Sequence, residues 1–152
     1  MKPFFYLIAL ISTLGINSVT WAGPAEEIAQ VIQQQTAAAQ KNDVDAFIAP
    51  FADDAVVTAF WIPFRVEGKA AIKEQFALLF QTYPTRQVMP RQNSRRVYAS
   101  DTVVVSNGYT VNNFTDKAGN TSVHYTRISQ TWVKIGTEWK IVDQHVSKMP
   151  IP

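Results

Sequence analysis

"YTRISQTWVKIGTEWKIVDQHVSKMP" (Tyr125–Pro150) holds two apolar, β-branched and aromatic runs on either side of "IGTE". Gly136 supplies the freedom of backbone angle that a tight turn needs, so the stretch reads as a β-hairpin. Its strands are expected at Thr121–Lys134 and Glu138–Ser147, with Pro150 ending the second. Side chains alternate across a strand, so Trp139, Ile141, Asp143, His145 and Ser147 share one face. Trp139 and Ile141 suit a core, which predicts that Asp143 and His145 point inward too. In the preceding strand, Tyr125, Arg127, Ser129, Thr131 and Val133 form one face, and Ile128, Gln130 and Trp132 the other. Alternation alone does not choose between these two sets.

Working outward, "DKAGN" (Asp116–Asn120) reads as a second hairpin turn around Gly119, preceded by strands near Thr102–Thr115, Gln92–Ala99 and Arg86–Met89. Earlier in the chain the period changes. Ile28, Val31, Ile32, Gln35 and Ala39 recur at helical spacing after Pro24, which suits a first helical turn. Asp43 caps a short second helix bearing Phe47, Ile48 and Phe51. Ala55–Phe64 reads as a strand ended by Pro63, and Gly68 opens a third helix with Ile72, Phe76, Leu79 and Phe80 on its apolar stripe. Helices first and a strand meander last indicate α+β architecture: N-terminal helices packed on a curved antiparallel sheet.

Residues 1–22 are set apart. Lys2 precedes an apolar run from Phe4 to Ile16, and Thr20 and Ala22 stand at −3 and −1 of a cleavage site before Gly23. This is the layout of a secretory signal peptide, and the run is shorter than the ~20 residues a helix needs to span a bilayer. The domain is expected over residues 23–152, exported to the periplasm or secreted, with no membrane association after cleavage. Of the 14 Lys and Arg in the chain, 13 remain without Lys2, against 12 Asp and Glu. That near-neutral balance lacks the concentrated basic surface of a nucleic-acid binder. With no cysteine there is no disulfide or thiolate chemistry. Two histidines 21 residues apart make no metal-ligand set, and no cofactor motif is present.

The order of elements, with "FADDAVV" (Phe51–Val57), "VEGKAAIKEQF" (Val66–Phe76) and the C-terminal hairpin, resembles the nuclear transport factor 2-like superfamily, an α+β cone also called SnoaL-like or cystatin-like. Arg127, Trp139, Ile141, Val142, His145, Ser147, Met149 and Pro150 match the pattern of its SgcJ/EcaC-type bacterial subfamily. That subfamily is related to the association domain of calcium/calmodulin-dependent kinase II. Gln144 and Val146 depart from it, standing where a first histidine and a first serine are common. The resemblance implies a pocket between the concave sheet face and the helices, with Arg127 pointing inward.

On that basis the expected pocket holds Tyr109, Tyr125, Arg127, Asp143 and His145, walled by Trp61, Phe60 and Phe64. Arg127 would offer a rigid fork to an anion or pair with Asp143. His145 would serve as a strand-end hydrogen-bonding residue, a ligand contact or an acid/base. His124, just past the Gly119 turn, is expected to be exposed. The function expected is binding of a small, partly apolar molecule with an anionic group, in a homodimer formed through the convex face of the sheet. The alternatives are an isomerase, dehydratase or hydrolase using His145, and an assembly module forming a higher oligomer.

Overall fold

A computed structural model of the chain describes residues 23–91 and 96–150. The signal peptide expected at 1–22 and the start of the strand expected from Gln92 lie outside the described residues. Helix α1 (Pro24–Gln40) has Pro24 in its first turn and buries Ile28, Gln35, Ala38 and Ala39. Helix α2 (Val44–Ile48) is capped by Asp43, whose carboxylate accepts the Ala46 N–H at 2.9 Å. Helix α3 (Lys69–Thr82) follows Gly68, whose φ of 87° only glycine adopts cheaply, and buries Ile72, Phe76 and Phe80.

Seven strands form one sheet: β1 (Phe51–Ala59), β2 (Val66–Glu67), β3 (Thr85–Pro90), β4 (Arg96–Ala99), β5 (Val103–Thr115), β6 (Thr121–Ile135) and β7 (Glu138–Lys148). Their order is β2-β1-β7-β6-β5-β3, with β4 also paired to β5. Gly119 (φ 88°) and Gly136 (φ 63°) occupy the two expected hairpin turns. The α+β class and the curved, unclosed sheet agree with the sequence reading, with one pairing different. β1 lies parallel to β7, so the sheet is mixed. The long connection between these strands permits parallel pairing, which a two-residue hairpin does not. β1 also ends at Ala59 rather than running to Phe64, because the chain turns there: Ile62 N–H donates to Ala59 O at 3.0 Å.

The helices cover one face of the sheet, called the inner face below. The core between them contains Phe51, Val57, Phe76, Val104, Trp132 and Ile141. No helix among the described residues is long and apolar enough to cross a membrane.

Candidate functional site

The facing of His145 depends on one irregularity in β7. Thr131 pairs with Asp143, but its neighbour Trp132 pairs with Ile141, so Val142 is an extra residue: a β-bulge. Up to Ile141 the odd-numbered residues are buried. Beyond the bulge Gln144 and Val146 are buried, and Asp143 and His145 are exposed. The expectation that Asp143 and His145 share the inward face of Trp139 and Ile141 is thereby corrected, since the bulge shifts the alternation by one. In β6, Thr126, Gln130 and Trp132 are buried, and Trp132 Nε1 donates to Ser106 Oγ at 3.3 Å. Arg127 therefore points outward, with Tyr109 opposite it on β5 and half-buried Tyr125 one alternation away. This too corrects the inward placement: the large apolar side chains of β6 claim the core, and a guanidinium stays in water unless a partner offsets its burial.

What the inner face does hold is a cavity of about 100 Å³. Phe47, Phe60, Trp61, Phe76, Phe80 and Phe114 supply most of its wall, and Arg86, Asn112, Thr126 and Gln144 its polar surface. Trp61 lines this interior cavity, Phe60 beside it is 38% exposed, and Phe64 is 82% exposed and is not in its lining. Thr110 and Thr126 share a hydroxyl contact of 2.6 Å, and Asn112 Nδ2 donates to both at 3.0 Å. Gln130 Nε2 donates to Gln144 Oε1 at 2.8 Å.

Among the described residues the buried arginine is Arg86, not Arg127. Arg86 is 4% exposed, and its Nη1 donates to Phe80 O at 3.2 Å and to Tyr83 O. Its Nη2 donates to Ala39 O, and its guanidinium lies 3.7 Å from the Phe80 ring centre. These carbonyls belong to the C-terminal ends of α1 and α3, where helix dipoles favour a cation. Burial pushes the Arg86 pKa down to about 10. Two buried donors at this cavity, Arg86 Nε and Trp61 Nε1, have no hydrogen-bond partner among the described residues. Nothing in "TRQVMP" marks Arg86 as buried, because its partners are tertiary.

His124 is also differently placed than expected. It is half-buried, its ring 5.7 Å from Phe60 and 5.2 Å from Phe114, and its Nε2 meets Ser122 Oγ at 2.9 Å. Nδ1 is buried without a partner among the described residues. Desolvation, and then the charge of Lys148, hold its pKa below the ordinary 6.5.

The outer face carries a separate open groove of about 620 Å³ that brings together Tyr109, Arg127, Ser129, His145 and Ser147 with Asn107. The two residues singled out in the sequence, Arg127 and His145, do share a recess, on the opposite side of the sheet from the one expected. The Arg127–Asp143 ion pair, one of the two roles considered for Arg127, is not among those of the described residues. Nor do the described residues include any cluster of metal-ligating side chains.

A family model described as the SnoaL-like domain matches residues 28–152, which is most of the chain. The chain belongs to the SnoaL-like domain family. No curated protein sequence matches it. Among solved structures, this SnoaL-like domain is similar to a candidate calcium/calmodulin-dependent protein kinase II association domain from Xanthomonas campestris. The identity is 24% over 86% of this chain and 94% of that one, with a TM-score of 0.73. A nuclear transport factor 2-like superfamily protein from Salmonella enterica serovar Typhimurium is 20% identical over 83% and 91% of the two chains, TM-score 0.74. A candidate scytalone dehydratase from Novosphingobium aromaticivorans is 14% identical over 83% and 84%, TM-score 0.74. At such identities the likeness is one of fold, which hosts many unrelated functions.

Proposed function

We infer that this SnoaL-like domain is an exported binder of a small, largely apolar molecule, held in the inner cavity through a hydrogen-bond-accepting group such as a carboxylate. One observation carries the reading: Trp61 and Arg86 both line the same apolar cavity, and each holds a buried N–H donor without a partner among the described residues. A buried donor left unpaired costs about 1–3 kcal/mol, which a ligand oxygen would recover. The Arg86 charge favours an anionic oxygen, since no carboxylate among the described residues pairs with it. Size limits the ligand: about 100 Å³ is smaller than the ~150 Å³ cavity known to take benzene. Export rests on the layout of residues 1–22.

Thermal-shift and calorimetric titration with acetate, isobutyrate and isobutyramide tests this. The carboxylates should raise the melting temperature, by the equivalent of about 2.7 kcal/mol at a hundred times Kd. Trp61→Phe, which keeps a ring and removes the donor, should weaken them. If none of the three stabilises the protein at millimolar concentration, the reading fails.

A second reading, an enzyme with a histidine acid/base, is favoured by the surroundings of His124 rather than His145. A neutral imidazole with an unpaired buried nitrogen beside the cavity rings suits proton abstraction. Deuterium exchange into butanone, followed by NMR, tests it without a known substrate. Exchange no faster than buffer, or unchanged by His124→Asn, removes this reading.

A further inference from the structure

We propose that the outer groove is a second binding site, independent of the inner cavity, for a sugar-sized molecule bearing a carboxylate or phosphate group. Three features of this face argue for it. First, the groove gathers Arg127 and His145, the basic side chains of its lining, while Asp143, on the same face two residues before His145, lies outside that lining. Neither Arg127 nor His145 has an ion pair or hydrogen-bonded side-chain partner among the described residues. Second, the cross-strand register sets the groups out as two short rows. Tyr109, Arg127 and Ser147 lie opposite one another across β5, β6 and β7, and Asn107, Ser129 and His145 form the adjacent row. Directly opposed side chains in a sheet have Cβ atoms about 5 Å apart, so a single small ligand spans both rows.

Third, the bulge at Val142 is what brings His145 to this face. Without the extra residue, continuing the alternation of Trp139 and Ile141 would turn His145 inward. Bulges are common where a strand re-aims a side chain beside a site.

The chemistry of the rows defines the ligand. The Arg127 fork matches the two oxygens of a carboxylate or phosphate, and His145 supplies a second nitrogen beside it. Ser147 offers a hydroxyl and Asn107 its amide N–H, since Asn107 Oδ1 accepts from Ser129 Oγ, and Tyr109, 42% exposed, presents a ring edge. The groove volume of about 620 Å³ lies within the roughly 300–1,000 Å³ typical of small-molecule sites, several times that of the inner cavity.

The test is NMR or calorimetric titration of the folded protein with inorganic phosphate, glucose 6-phosphate, glucuronate and glucose. Expected is saturable, salt-sensitive binding of at least one sugar anion, with glucose inert. The phosphate and carboxylate arms identify which oxyanion is preferred. Arg127→Gln should weaken the preferred ligand about tenfold or more. His145→Gln should weaken it less, and Trp61→Phe should leave it unchanged; melting curves confirm that each variant folds. The proposal is overturned if no anion binds, or if Arg127→Gln binds as wild type does. Loss of binding in Trp61→Phe alone would put the anion in the inner cavity. A dimer in light scattering that Arg127→Glu dissociates, with no anion bound, would make this face an interface between copies instead.

Discussion

Ile141 and Gln144 both face the interior although they stand three residues apart in one strand, because Val142 has no partner on β6. The bulge divides β7 into two halves with opposite parity. Side-chain burial then separates neighbours sharply: Gln144 is 5% exposed and His145 is exposed.

Substitution of these neighbours should reveal the parity. Gln144→Ala removes the acceptor of the Gln130 amide in the interior, at an expected cost of about 1–3 kcal/mol. His145→Ala should change stability by less than about 0.5 kcal/mol, as for other surface positions. Urea unfolding of both variants measures the contrast, and equal costs would contradict the bulged register.

Arg86 should tolerate no replacement. Arg86→Met leaves the carbonyls of Ala39, Phe80 and Tyr83 without their donor, and a loss of about 3 kcal/mol is expected. Arg86→Lys should recover little, because one ammonium cannot span acceptors on two helices as a planar fork does. Denaturant midpoints of the two variants check this.

Stability should depend on pH through His124. Its folded-state pKa lies below the ordinary 6.5, so the unfolded chain takes up a proton first as the solution is acidified. The contribution of a neutral His124 is complete above pH 6.5 and is lost as pH falls through the folded-state value. The slope from this one group cannot exceed about 1.4 kcal/mol per pH unit. Melting temperatures from pH 8 to pH 5 should decline below 6.5, and His124→Asn should flatten that part of the curve.

Processing offers a separate check on residues 1–22. Expression in a bacterium with an intact export pathway should yield, in the periplasmic fraction, a chain beginning at Gly23. N-terminal sequencing reads this directly, and a retained Met1 would contradict the signal-peptide reading.

Long-range order was legible wherever a local signal sufficed. The stripe from Ile28 to Ala39, the Asp43 cap, and the turns at Gly119 and Gly136 rest on spacing and backbone freedom, and each stands where the sequence puts it. The facing of β7 was not legible, because a bulge is set by pairing with β6 and β1 and leaves no mark in "WKIVDQH" itself. Strand β6 was ambiguous for a related reason: both of its faces carry polar and apolar side chains, and only Trp132 reaching Ser106 settles the choice. The importance of Arg86 was hidden because its acceptors come from positions 39, 80 and 83, which no local pattern connects.

Those acceptors also give the cavity a direction. Arg86 ties the last turn of α1 to the end of α3, so the wall formed by Ala39 and Phe80 is cross-linked by a buried cation. The opposite wall, Phe60 and Trp61, is held by the backbone bonds Phe60 N–H to Val146 O and Ile62 N–H to Ala59 O and by ring contacts of Trp61 with Phe60 and Phe76. A buried cation thus braces one side of the cavity, while the other side is bordered by Phe60, a ring 38% exposed to solvent.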